Sequence, residues 1–321
     1  MELQTTESIV SGPRDKPGFM GELRDFTGSL PHKVLFAILL IAWILLFHFF
    51  GNSNLGYGGL TPSVFSWLRI IYLNDVDESL GMYVPVVVLA LYWWKRQELA
   101  ALEKRVWWPA LGLFAFAVLF HIVGYIIQQA RISLIAFSLG FYSLTGLLWG
   151  YRWMRATFFP VFLLIFAVPM STNVEQFTLP LRELATQITV VVSRFLGINV
   201  IQEGKLMFDS AHRFQYNVEA ACSGLRSLTT MLALACVFAF TCFHQNWKRL
   251  ALIISAIPFA VLGNVMRLLT IIIAAEAAGQ EAGNYVHKHW FFSLIPYFPA
   301  MVGMSLIARW LREDRSKAGS V

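Results

Sequence analysis

The chain has 321 residues, of which 57% are hydrophobic and 14% charged. Soluble domains carry roughly 25% charged residues, so this composition excludes an ordinary soluble protein and points to the membrane. The formal net charge of +6 sits mostly in short loops and tails, which ties it to topology and anionic lipid rather than to nucleic acid.

Residues 1–33 are polar and read as a cytoplasmic N-terminal tail. The first apolar run, 34–50, has no small-residue cleavage site after it, so it reads as a retained span rather than a signal peptide. Further apolar segments follow at about 81–95, 107–129, 132–150, 157–171, 223–243, 249–275 and 291–311. Several fall short of the ~20 residues that cross a bilayer untilted, and Pro85 interrupts the second. Trp93, Trp94, Trp107 and Trp108 flank the 96–106 loop as an aromatic belt would. The expected fold is an all-α polytopic membrane protein with about eight transmembrane helices over 34–311 and a short cytoplasmic tail at 312–321.

Basic residues set the orientation. Sixteen of the 25 Lys and Arg fall in the N-terminal tail, the 95–106 and 151–156 loops, Lys248–Arg249 and the C-terminal end. The positive-inside rule then places both termini in the cytoplasm and the segment 172–222 outside. Within that segment, residues 176–196 alternate apolar groups with Arg182, Glu183 and Arg194, the pattern of an amphipathic helix or an additional shallow segment. Beyond Gly197, short runs at 199–202 and 205–208, split by Glu203-Gly204, predict a β-hairpin; a third run, 214–218, leads out of it. A small extracytoplasmic helix and β-element are therefore expected.

The most reactive stretch follows: Glu219-Ala220-Ala221-Cys222-Ser223-Gly224-Leu225-Arg226-Ser227. It joins a thiol, a carboxylate and a guanidinium where the outer segment enters the sixth span. Cys222 lies at a predicted helix start, where the dipole favours thiolate, with Arg226 one turn on and Gly224 leaving the backbone open to a substrate carbonyl. The competing reading is an inert thiol in a tight helix contact. Cys236 and Cys242 fall inside one apolar run and read as small buried hydrophobes.

Arg267 lies inside the seventh span, ~12 Å below its outer end by helix rise, with Asn264 three residues back on the same face. A charge there costs several kcal/mol unless paired or hydrated. It reads either as a cation that activates the thiol and stabilises an oxyanion, or as a group that snorkels or pairs with a carboxylate such as Glu276. His287 and His289 precede the eighth span on the same side, and either suits acid/base work. His121 reads as a satisfied interhelical polar group. No metal-ligand spacing is evident and no cofactor is expected.

The cysteine motif, Asn264-Val265-Met266-Arg267 and a downstream outer histidine together resemble the exosortase/archaeosortase family. So do Phe166-Ala167-Val168-Pro169-Met170, Phe177-Thr178-Leu179-Pro180-Leu181 and Ser79-Leu80-Gly81-Met82-Tyr83-Val84-Pro85. The resemblance implies a multi-pass enzyme of the bacterial cytoplasmic (inner) membrane with sortase-like chemistry on the extracytoplasmic face. It maps the nucleophile onto Cys222, the arginine onto Arg267 and the histidine onto His287, with His289 as the alternative. Glu219, Ser223, Gly224, Arg226 and Asn264 become supporting or substrate-binding residues. Its implied partners are membrane-anchored, PEP-CTERM-like substrate proteins with a C-terminal motif, an apolar span and a basic tail, plus an acceptor. Leu80 and Lys288 depart from the family pattern, which has a histidine at the first position and often an aspartate at the second. The other functional classes are a transporter or scaffold for exopolysaccharide export, neither of which needs the thiol.

Overall fold

A chain this apolar must satisfy its main-chain N–H and C=O groups internally, and helices do so within one segment. The computed structural model describes residues 18–52, 61–75, 78–203, 206–209, 214–217, 225–289 and 297–311, with backbone only for 171–177, 217, 225–227 and 288. Its helices are α1 (Phe19–Gly28), α2 (Lys33–Phe50), α3 (Val64–Asn74), α4 (Val84–Trp94), α5 (Arg96–Ala101), α6 (Pro109–Ile126), α7 (Ala130–Trp149), α8 (Tyr151–Phe162) and α9 (Ser171–Phe195). After a small sheet come α10 (Leu225–Cys242), α11 (Asn246–Ala278), α12 (Gln280–Lys288) and α13 (Tyr297–Trp310). Short 3-10 turns precede α4 and follow α8.

The expected apolar segments are largely helical where they are described, and about eight spans are not confirmed. Among the described residues four helices are long and apolar enough to cross a membrane: α2, α6, α7 and α11. The second and sixth segments form shorter apolar helices, Ser79–Trp94 and Leu228–Cys242. The fifth breaks into α8 and a 3-10 turn, with Pro160 inside α8. The polar tail contains α1, tied to the next loop by an Arg96 Nη2 to Glu22 Oε2 bond of 2.7 Å.

The fold is not purely helical. The expected hairpin is an antiparallel sheet of three strands, β1 (Val200–Glu203), β2 (Leu206–Asp209) and β3 (Gln215–Asn217), in the order β1-β2-β3. The registers pair Ile201 with Phe208 and Met207 with Tyr216. Val200, Met207, Phe214 and Tyr216 point inward and pack on Leu268, Ile271, Ile272 and Ala275 of α11, with Val190 and Ile198 closing the cluster. The sheet thus caps the C-terminal end of α11.

The basic loops gather at one end of the bundle. Lys95 Nζ donates to Ala156 O at 2.9 Å, Arg152 approaches Glu103 at 3.6 Å, and Trp149 Nε1 donates to Pro31 O at 3.0 Å. At the other end Arg131 Nε donates to Pro169 O at 2.6 Å, and the Tyr72 hydroxyl donates to Ala167 O. His121 is the satisfied polar group expected, with Nδ1 3.1 Å from Ser133 Oγ across α6 and α7. Cys236 is buried among apolar side chains, as expected. Cys242, the last residue of α10, is instead exposed, while Ala239 and Phe243 on either side of it face the core.

Candidate active site

Three helices frame the site. Leu181 and Ala185 of α9 pack with Val261, Val265 and Leu269 of α11. Further along, Val190 packs with Leu268, Ile271 and Ile272, so the two helices run parallel. α10 runs antiparallel to α11: Ala239 packs in one cluster with Leu252, and Met231 and Ala235 in another with Ala256 and Ala260. Each step up α11 is therefore a step down α10. Continued at equal rise, this register brings Arg267 level with the first turn of α10, which begins at Leu225.

Arg267 is 6% exposed and Asn264 2%. Among the described residues Arg267 has no ion pair or hydrogen bond, and both amide atoms of Asn264 lack a partner. The pairing with Glu276 that offered an alternative for Arg267 is absent. Leaving such groups buried costs about 1–3 kcal/mol for the amide and more for a charge. A stability role does not repay that cost.

The sequence reading missed a second element here. On α9, Thr178, Arg182, Thr186, Thr189 and Ser193 are all buried, at helical spacing along one stripe. Thr186 and Thr189 satisfy their hydroxyls on the carbonyls of Arg182 and Ala185, at 2.9 and 2.7 Å. Arg182 lies in the layer of Val261 and Val265, where Asn264 also falls. The 178–182–186 spacing was a visible signal, obscured because Arg182 had been counted as an outer-face charge. The apolar strip Leu184, Ile188, Val191 and Phe195 faces outward. Polar groups turned inward suit a helix bordered by lipid and lining a polar interior.

α11 and α12 meet at Gly279, whose φ of 84° suits glycine. Gln280, the first residue of α12, binds β3 with both side-chain atoms. Gln215 N donates to its Oε1 at 2.7 Å, and its Nε2 donates to Gln215 O at 2.9 Å. The Tyr216 hydroxyl donates to Gln280 O at 3.1 Å, and burial pushes this phenol's pKa up. Gly283 lies flush against the same hydroxyl. His287 is half-buried, four residues after Gly283 and seven after Gln280, and so shares their face of α12. His289 ends the helix, with its ring centroid 5.1 Å from that of Tyr285. Both histidines are engaged in interactions.

Glu219, Cys222, Ser223 and Gly224 lie outside the described residues, and of Arg226 only the backbone is described. The structure thus brings Arg267 and Asn264 to the level at which α10 begins, three residues after Cys222 in the chain.

A family model of the transmembrane exosortases matches residues 67–305, a span that contains every residue of this site. No curated protein and no solved structure matches the chain. A buried arginine in an apolar helix, level with the first turn of α10 and within a match covering most of the sequence, leads to one conclusion: this membrane protein belongs to the transmembrane exosortase family.

Proposed function

We propose that the chain is a membrane-embedded cysteine protease and transpeptidase that cleaves the C-terminal sorting signals of exported proteins. Its substrates carry a short motif, an apolar span and a basic tail, and it works at the outer face of the cytoplasmic membrane. The observation that carries this reading is Arg267, buried without a described counter-ion and level with the start of α10. In the chain, Cys222 comes three residues before that helix start.

In the proposed reaction the Cys222 thiolate attacks the scissile carbonyl. The tetrahedral oxyanion is held by Arg267, and collapse to a thioester expels an amine that takes a proton from His287. An amine or hydroxyl acceptor then attacks the thioester and regenerates the thiol; water in its place gives hydrolysis. His287 is preferred over His289 because it lies on the α12 face that meets β3, the strand leading to Cys222. Asn264 has an amide N–H available for the substrate.

The test is processing of an epitope-tagged protein, from the same cells, that ends in a motif, apolar span and arginine cluster. Cys222→Ala should abolish its size shift, and Cys222→Ser should leave at most slow turnover. Full processing by Cys222→Ala would sink the mechanism. Retained function after thiol alkylation would point to the transport or scaffold role instead.

A further inference from the structure

β3 is an edge strand, and an edge exposes a row of unpaired main-chain groups. Gln280 fills one such pair: its amide accepts from Gln215 N and donates to Gln215 O, as a neighbouring strand would. Its own carbonyl accepts from Tyr216, and Gly283 keeps α12 close enough for that contact. Two functional segments leave this junction. Cys222 follows five residues after Asn217, the end of β3, and His287 lies two helical turns beyond Gln280.

We infer that Gln280 is a positioning residue, a side-chain surrogate strand that fixes β3, the strand from which the chain runs on to Cys222, against the His287-bearing helix. The inference rests on the proposed thiol chemistry. A primary amide is the fitting group because it presents one acceptor and one donor side by side. A carboxylate presents only acceptors and repels the Gln215 carbonyl; once protonated, it regains the donor.

The test uses the full chain in lipid nanodiscs, with hydrogen exchange at the Gln215 amide and processing of the tagged substrate as readouts. Gln280→Ala should speed Gln215 exchange at least tenfold and slow processing at least tenfold. Gln280→Glu, which keeps the acceptor but loses the donor, should process substrate more slowly than the parent at pH 8 and approach it, compared at each pH, as acidification protonates the carboxyl. A merely structural residue would not give that recovery. Unchanged exchange and processing in Gln280→Ala, or no recovery of Gln280→Glu in acid, overturns the inference. If the parent protein processes nothing, the catalytic reading fails by itself, and the exchange data still decide whether Gln280 holds β3.

Discussion

A single guanidinium deep in an apolar helix is tolerated only when something requires it. Arg267 lacks a carboxylate partner among the described residues, so its removal should cost little stability and much activity. Arg267→Ala should lower processing by about 10²–10³, the range for losing one oxyanion donor. Arg267→Lys keeps charge without the planar fork and should fall between. Asn264 gives a sharper separation of the two roles. Both its amide atoms are buried and unpartnered, so Asn264→Leu, with the same number of side-chain heavy atoms and the same branching, should raise thermal stability by roughly 1 kcal/mol. The same variant should process substrate more slowly. Loss of stability in Asn264→Leu would show that the amide is structural. Arg267 and Asn264 were legible in the sequence because a charge in an apolar run is conspicuous. Arg182 was less so, because its spacing with Thr178 and Thr186 marks a stripe without saying that the stripe is buried.

At the level of elements, the junction of sheet and helix depends on a missing Cβ. A methyl at Gly283 would collide with the Tyr216 hydroxyl and lie 3.1 Å from the Ala275 Cβ. Overpacking of this kind typically costs about 1–3 kcal/mol, so Gly283→Ala should lower the thermal midpoint measured by circular dichroism. Adding Tyr216→Phe removes the colliding oxygen and should restore part of the loss, a non-additivity that a double-mutant cycle detects. Simple additivity would exclude this contact as the cause. The sheet itself is legible as a hairpin, since Glu203-Gly204 between two short runs marks a turn. Its docking on Gln280 was not, because the partners are 65 residues apart and Gln280 belongs to no local pattern.

For the whole molecule, Glu22, Lys95, Arg96, Glu103 and Arg152 assemble at one end, and basic-residue counting assigns that end to the cytoplasm. Cys242 is exposed near Lys248 and Arg249, on the cytoplasmic side of that assignment. In a Cys222→Ser background, a membrane-impermeant maleimide should label Cys242 in inverted vesicles and not in intact cells. Labelling in intact cells would invert the topology. The number of full spans was hard to read, because an apolar run cannot say whether it crosses, breaks at a proline or stops short. The fifth segment does break, at Pro160 and the 3-10 turn after it.

The sequence by itself determined the membrane class, the segments that become helical, the three short strands and the pair Asn264 and Arg267. Composition, periodicity and the cost of burying charge act locally along the chain, so a linear reading detects them. The tertiary structure alone decided that α9 runs parallel to α11 with a polar stripe turned inward, and that α10 begins level with Arg267. It also decided that the face of α12 carrying His287 meets β3 through Gln280. Each of these depends on which faces of separate elements pack together, and that choice is made by the summed contacts of the assembled bundle rather than by any one segment.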